Sequence, residues 1–210
     1  MRIKSLLLLC KQSLTFLTSG MVSRSLFIFS SFMMFYLRSY NTWVFLRLRS
    51  VFKMAGAKVK VLFVCLGNIC RSPTAHAVFR QLVKEQGLEA EIEIDSAGTG
   101  AWHVGNPPDK RATAVAEGRG IQMRDLRARQ VDFGDFYQYD YILAMDNSNY
   151  TNLYEMALPE HREKIHMFLQ YAPDFSETEV PDPYYGGPEG FDHVFDMVTS
   201  ASNGLLNEVK

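Results

Sequence analysis

A short segment of the chain concentrates residues whose types and spacing could do chemistry. It reads CLGNICRSP and runs from Cys65 to Pro73, between a predicted strand and a predicted helix. Gly67 and Asn68 tolerate a left-handed backbone, so we expect the loop to curl tightly. Ser72 followed by Pro73 is typical of an N-cap and the first helical position, which predicts that the loop ends at a helix N-terminus. The free N–H groups of such a terminus bind anions.

The side chains of this segment favour the binding of a phosphate beside a thiol. Arg71 carries a planar guanidinium that can hold two oxygens of a phosphate. Cys65 is expected at the end of the strand, where the positive field of the loop favours the thiolate and makes the sulfur a nucleophile. A Cys and an Arg at this spacing also occur by chance, and a Cys at the end of a buried strand is usually a core residue. The complete segment, placed between strand and helix, favours the functional interpretation. It lacks Gly-Lys-Ser/Thr, which excludes a nucleotide-binding P-loop.

The elements that would position this loop alternate between strand and helix. Short apolar runs predict strands, and apolar residues at helical spacing predict helices, the first of which we expect to stop at Gly87. The predicted strands are 59–64, 91–95, 141–145 and 164–169, and the predicted helices are 75–83, 109–117, 148–156 and 191–206. Such alternation indicates an α/β fold in which a parallel sheet is covered on both faces. Ligands of these sheets bind beyond the carboxyl ends of the strands.

Charge and composition divide the chain near Met54. Of the 22 Lys and Arg residues, eight lie in residues 1–53, which contain no Asp or Glu; the other 14, against 23 acidic residues, give residues 54–210 a net charge of −9. The whole chain is 47% hydrophobic and 21% charged, which is typical of a globular protein and excludes disordered and collagen-like chains. Three cysteines are too few for a disulfide scaffold and favour a reducing compartment, and no Cys or His spacing suggests a metal site.

Residues 1–53 have three open interpretations. Their basic, Ser-rich and acid-free composition suits a cleaved targeting peptide. They could also be a membrane-associated anchor, although the uncharged run 25–37 is shorter than the ~20 residues of a membrane span. Or they could lie outside the working protein, with a natural start at Met54. We expect residues 54–210 to form the domain, with 1–53 disordered or an isolated helix.

The segment CLGNICRSP resembles the signature loop of the low-molecular-weight protein tyrosine phosphatases. Other motifs of that family follow: DSAG at 95–98, Trp102, Pro-Asp and Arg-Ala within 108–112, Met-Asp at 145–146 and DPYYG at 182–186. The likeness covers nearly all of residues 58–206, whereas residues 1–53 have no counterpart in the family. It implies a four-stranded parallel sheet with helices on both faces, of the doubly wound, Rossmann-like kind.

The resemblance implies catalysis by three residues, without a metal or a cofactor. The Cys65 thiolate would attack phosphorus and displace the phenol, and water would hydrolyse the resulting cysteinyl-phosphate. Arg71 and the loop amides would hold the phosphate oxygens, while Asp182 would protonate the leaving phenol. Ser72 would hydrogen-bond the sulfur and help it leave as thiolate, and Asn68 would brace the loop from within.

The resemblance further implies a set of substrate contacts in the loop and in an aromatic wall. The residues expected to contact the substrate are Leu66, Gly67, Asn68, Ile69, Cys70, Ser72, Trp102, Tyr184 and Tyr185. In this family the tandem tyrosines are also phosphorylated by kinases. Because Cys70 lies five residues after Cys65 in a curled loop, we also expect it to trap oxidised Cys65 as a disulfide. Its other interpretation is a buried packing cysteine.

Other activities of the superfamily fit the sequence less well. Arsenate reductases need further cysteines downstream, and none follows Cys70. Phosphoarginine phosphatases carry Thr where Ile69 stands. A phosphotyrosine-binding module would lack Cys65 or Asp182, and both are present. Asp174 is the alternative general acid because it also follows a proline, but it is not followed by the two tyrosines.

We therefore expect a cytoplasmic enzyme that acts on phosphotyrosine proteins and, as an acid phosphatase, on small aryl phosphates. Nucleic acid is not expected as a partner. Membrane contact or organelle targeting would involve only residues 1–53.

Overall fold

A parallel sheet of four strands organises the part of the chain that the structure describes. The computed structural model describes residues 58–185, 187 and 189–210. The strands are β1 (Val59–Cys65), β2 (Ile92–Gly98), β3 (Tyr141–Ala144) and β4 (Ile165–Met167), in the order β2-β1-β3-β4. Every pairing between neighbours is parallel. The α-helices are α1 (Arg71–Glu85), α2 (Lys110–Gly118), α3 (Phe133–Gln138), α4 (Asn147–Met156) and α5 (Glu189–Val209), and 3-10 helices span Pro159–Lys164 and Phe168–Tyr171.

Each face of the sheet is covered by its own hydrophobic core, as the doubly wound prediction requires. Val61 and Phe63 of β1 point into one core, which contains the buried residues of α1 and α5. Leu62 and Val64 point the other way, into a core with α3 and α4. All four side chains are fully buried. Since both faces of β1 are covered, its sequence is a continuous apolar run rather than an alternating one.

The central position of β1 places its carboxyl end at the crevice of the sheet. β2 pairs on one side of β1 and β3 on the other, so the chain leaves in opposite directions from this point, where ligands of such sheets bind. Cys65 is the last residue of β1 and pairs with Gly98 of β2. A Cβ atom at Gly98 would lie 2.8 Å from the Leu66 carbonyl oxygen and 3.1 Å from the Asn68 nitrogen. Only glycine therefore allows the end of β2 to approach the loop so closely.

Several predicted boundaries are wrong. β2 was expected to end at residue 95 but continues to Gly98, because its pairing with β1 persists through small residues that carry no strand signal. The fourth strand was expected over 164–169, but it ends at Met167, where the chain tightens into a 3-10 helix. Helix α1 does stop as predicted, with Gly87 at a φ of 69° and its N–H bonded to the Lys84 carbonyl.

Helix α3 has no counterpart among the predicted elements. It contains only six residues and therefore shows too little periodicity to be recognised. Its start does carry a signal, since Asp132 is the N-cap and Asp135 completes a capping box.

The expectations for residues 1–53, including the boundary at Met54, lie outside the described residues. No helix within the described ranges is both long and apolar enough to cross a bilayer.

Candidate active site

The loop after β1 closes around the sulfur of Cys65. The loop curls tightly as expected, and of the two residues that tolerate a left-handed backbone it is Asn68, with a φ of 54°, that adopts one. The backbone N–H of Asn68 donates to Cys65 Sγ at 3.3 Å, and the Ser72 hydroxyl lies 3.0 Å from the same sulfur. Only 3% of Cys65 is exposed. The turn therefore brings two hydrogen-bonding groups to a buried sulfur.

Ser72 is not the N-cap of α1. The helix begins at Arg71, two residues before the predicted Pro73, and Cys70 occupies the N-cap position without a side-chain cap. The Ser72 side chain turns toward the sulfur instead of toward the helix amides, and it also donates to the Ala97 carbonyl at 3.3 Å. The hydroxyl therefore lies where the resemblance expected it, although the capping interpretation was wrong.

The side chain of Asn68 links the loop to the rest of the domain. Its Nδ2 donates to Ser72 Oγ at 2.9 Å, and its Oδ1 accepts from the backbone N–H of Arg129 at 2.9 Å. Arg129 in turn bonds Asp95 at 2.7 Å and Asp135 at 2.9 Å. No sequence motif predicts this support, since its members lie far apart along the chain.

Arg71 is almost completely buried and bonded at both ends of its guanidinium. Nη1 donates to Asp146 at 2.5 Å and to the Val180 carbonyl at 3.1 Å, and Nη2 donates to Asp182 at 3.0 Å. Burial by itself lowers the pKa of Arg71, but Cys65, Asp182 and Asp146 outweigh it and raise the pKa. Arg71 therefore stays charged in the buried floor of the site.

Asp146 is a site residue that the sequence analysis did not identify as such. It directly follows β3, whose carboxyl end lies at the same edge of the sheet as that of β1. An acidic residue directly after a strand of the sheet is the sequence feature that could have predicted this role. By bonding Arg71 it orients the guanidinium.

A cleft of about 310 Å³ lies above Cys65. It has the size of a small-molecule site. The lining residues are Cys65, Leu66, Gly67, Ile69, Cys70, Arg71, Trp102, His103, Asp182, Tyr184 and Tyr185. This set contains every predicted site residue except Asn68 and Ser72, two loop residues whose side chains are buried. His103 was missed; its ring would lie 3.0 Å from a Cβ at Gly67, so it packs on the loop.

Aromatic side chains form the exposed walls of the cleft. The indole of Trp102 lies against Gly100, where a Cβ would come within 1.7 Å of the ring. Tyr184 and Tyr185 meet edge to face with their ring centroids 5.0 Å apart. The guanidinium of Arg111 lies 5.3 Å from the Tyr184 ring and donates to its carbonyl at 3.1 Å. The walls thus form a slot that suits a flat aryl group.

Cys65 and Cys70 are both free thiols in the described structure and both are buried. Burial raises the pKa of Cys70, and the nearby Asp109, Cys65 and Asp182 raise it further. Cys70 is therefore protonated at neutral pH.

Within the ranges 58–185, 187 and 189–210, no three His, Cys, Asp or Glu side chains are grouped as metal ligands would be.

Comparisons with known proteins agree with this geometry. Residues 60–210 match the family described as low molecular weight phosphotyrosine protein phosphatase. The phosphatase of that name from Schizosaccharomyces pombe is 47% identical over 152 residues, which cover 72% of this chain and 97% of the relative. The crystal structure of a protein tyrosine phosphatase from Entamoeba histolytica matches with a TM-score of 0.70 and 42% identity, covering 72% of this chain and 96% of that one.

A Drosophila arginine phosphatase also matches, with a TM-score of 0.68 and 35% identity over 72% of this chain and 98% of that one. The fold alone therefore does not separate the two substrate classes. The matched residues, the sheet and the loop around Cys65 nevertheless agree on one assignment: the chain belongs to the low-molecular-weight phosphotyrosine protein phosphatase family.

Proposed function

We propose that this protein is a tyrosine phosphatase that hydrolyses phosphotyrosine in proteins and small aryl phosphates through a cysteinyl-phosphate. One observation carries the proposal: the Cys65 sulfur lies beneath an aromatic-walled cleft, within hydrogen-bond distance of Ser72 and the Asn68 amide. A nucleophile held among donors beside a buried guanidinium is the arrangement that phosphoryl transfer requires.

The first step transfers the phosphoryl group to sulfur. Arg71 and the amides of the loop hold the oxygens of the phosphate while Cys65 Sγ attacks phosphorus, and the bond from phosphorus to the phenol oxygen breaks. Arg71 Nη2 contacts Asp182 at 3.0 Å, so a phosphate ester bound to Arg71 also lies beside that carboxyl. When the phosphate takes the N–H groups of Arg71, Asp182 leaves this ion pair, binds a proton and donates it to the leaving phenol oxygen.

The second step hydrolyses the phosphocysteine. Water attacks phosphorus, and Asp182, now ionised, takes its proton, since the group that gave the proton in one direction accepts it in the next. The sulfur leaves as thiolate, and the Ser72 hydroxyl at 3.0 Å rotates its proton from the Ala97 carbonyl to the developing charge.

The walls of the cleft support an aryl substrate rather than phosphoarginine. Ile69 lines the cleft and offers no hydroxyl to a guanidino group. Trp102, Tyr184 and Tyr185 provide apolar faces on which an aryl ring packs.

The setting of the enzyme is part of the same proposal. A thiol nucleophile needs a reducing compartment, which favours the cytoplasm. Residues Gly56–Lys210 form a compact unit, which supports a domain from residue 54 onward, and all the proposed catalytic residues belong to that unit. Membrane contact and targeting are assigned to residues 1–53 alone.

A substrate comparison tests the proposed function. The full chain should hydrolyse p-nitrophenyl phosphate and a phosphotyrosine peptide without added metal and in the presence of a chelator. We expect kcat/KM for phosphotyrosine to exceed that for phosphoarginine, and arsenate not to be reduced. A higher kcat/KM for phosphoarginine would assign the enzyme to the other substrate class, and reduction of arsenate would overturn the proposal.

A further inference from the structure

A second cleft adjoins the one above Cys65 and has no part in the proposed chemistry. It encloses about 480 Å³. Its lining residues are Leu66, Thr99, Trp102, Phe133, Asn152, Glu155 and Met156. Leu66 and Trp102 also line the first cleft, so the two are continuous. A polypeptide with its phosphotyrosine in the first cleft can therefore place a neighbouring residue in the second.

Two aromatic side chains border this second cleft and are held exposed. Trp102 is 73% exposed and Phe133 is 67% exposed. Trp102 is oriented by its contact with Gly100, and Phe133 is the first residue of α3, just after the N-cap Asp132. Neighbouring exposed aromatic groups on a small domain mark a surface for binding.

The second cleft carries a negative charge that is not neutralised by an ion pair within the described part of the chain. Glu155 of α4 lines it, and no Lys, Arg or His of the described residues forms an ion pair with this carboxylate. Some surface acids of the domain are paired, such as Glu117 with Arg124 and Asp125 with Arg80, so what distinguishes Glu155 is its place in an aromatic-bordered cleft. A carboxylate beside two aromatic faces suits a cation on an apolar stem, since the stem packs on the rings while the charge meets the acid.

The domain itself shows how such a cation would pack. The guanidinium of Arg162 lies 4.2 Å from the centre of the Tyr154 ring, and that of Arg111 lies 4.6 Å from Phe191. The net charge of −9 over residues 54–210 adds a general attraction for basic segments.

We propose that the second cleft binds an Arg or Lys side chain of the substrate polypeptide, close in sequence to the phosphotyrosine. The proposal rests on the proposed function. The two clefts share Leu66 and Trp102 and an extended chain advances about 3.3 Å per residue, so we expect the basic residue within about three positions of the phosphotyrosine. Glu155 and Phe133 are thus specificity-determining residues rather than catalytic ones.

Phosphotyrosine peptides with a single Arg placed at each position from −3 to +3 test the proposal on the full chain. We expect one position to raise kcat/KM about 3- to 10-fold over the same peptide with Gln, and Glu there to lower it. Glu155→Lys should reverse this order, and Phe133→Ala should reduce the Arg preference. Both variants should keep the parent kcat/KM for p-nitrophenyl phosphate, which is too small to reach the second cleft.

Glu208→Lys is the matched control, because it changes the net charge equally but lies near Tyr141, at the opposite edge of the sheet. It should keep the Arg preference. A parent enzyme with equal kcat/KM for all the peptides would overturn the inference while leaving the proposed function intact, whereas no hydrolysis of any of them would overturn the proposed function itself. An equal change in Glu155→Lys and Glu208→Lys would also overturn the inference. So would self-association that Phe133→Ala abolishes in sedimentation, because the cleft would then hold a second copy of the chain.

Discussion

The two loops that carry the candidate catalytic residues are held in opposite ways. Cys65 and Ser72 lie in a loop that is buried and bonded through its own backbone and through Asn68. Asp182 lies in a loop near the surface, with its side chain 35% exposed, and Tyr185 beside it is 93% exposed. That second loop is fixed chiefly through side chains, by Arg71 at Asp182 and by Arg111 at the Tyr184 carbonyl.

This difference separates two tasks. The groups that stabilise charge on phosphate are fixed before substrate arrives, so they cost no reorganisation during the reaction. Asp182, the proposed acid, forms an ion pair with Arg71, the proposed phosphate ligand, so its placement depends on the first loop. Damage to the loop around Cys65 should therefore affect every substrate, whereas loss of the acid should affect substrates according to their leaving group.

Cys65→Ser should have the largest effect. A serine hydroxyl stays protonated in a loop that contains no base, so turnover of every substrate should be abolished. Hydrolysis of p-nitrophenyl phosphate measures the loss, and an unchanged Tm shows that the loop still folds. Cys70→Ser serves as the matched control and should retain turnover. Substantial activity in Cys65→Ser would show that Cys65 is not the nucleophile.

Asp182→Ala should lower kcat/KM for phosphotyrosine by about 10²–10⁴-fold, the usual contribution of a general acid. Asp174→Ala is the control, since Asp174 also follows a proline but is bonded to Ser200 at 2.7 Å, outside the lining of the cleft. It should leave kcat/KM near the parent value. Similar losses in the two variants would show that the loop carrying Asp182 has no special role.

The sequence alone predicted the loop around Cys65 because its chemistry is local. Strand, turn, arginine and helix start lie within nine residues. Asp182 has no such local signal, and Asp174 has the same preceding proline, so only the family motif separated them. Asp146 and Arg129 were missed because their roles depend on which strand ends meet in the sheet. The end of β2 was missed because pairing with β1, and not side-chain propensity, sets it.

Substitutions at Asn68 separate the contribution of its left-handed backbone to stability from that of its side-chain hydrogen bonds. Asn68→Gly keeps the left-handed backbone but removes the bonds to Ser72 and Arg129, so it should lower the free energy of unfolding by about 1–3 kcal/mol. Asn68→Ala adds backbone strain and should be less stable than Asn68→Gly. Chemical denaturation of both variants measures the order, and equal stabilities would show that the conformation stores no strain.

Cys70 should protect the first loop from irreversible oxidation. Peroxide converts Cys65 to the sulfenic acid, and attack by Cys70 sulfur forms the disulfide and releases water. Thiol reductant should then restore activity in the parent but less in Cys70→Ser. Because burial raises the pKa of Cys70, its thiolate fraction and the rate of disulfide formation should still increase with pH through the neutral range. Full recovery of Cys70→Ser would contradict this role.

Removal of residues 1–53 should have the smallest effect. A chain that begins at Met54 contains both loops and the whole sheet, so we expect kcat/KM for small aryl phosphates and Tm to match those of the full chain. A large loss of either value would show that residues 1–53 contribute to the domain.

The dependence of kcat/KM on the leaving group tests the division between the two loops most directly. A series of aryl phosphates with phenols of increasing acidity is measured for the parent, Asp182→Ala and Asn68→Gly. We expect the loss in Asp182→Ala to shrink as the phenol becomes more acidic, because a good leaving group needs no proton, while any loss in Asn68→Gly should stay constant across the series. A constant loss in Asp182→Ala would contradict the account, since Asp182 would then act only by shaping the site.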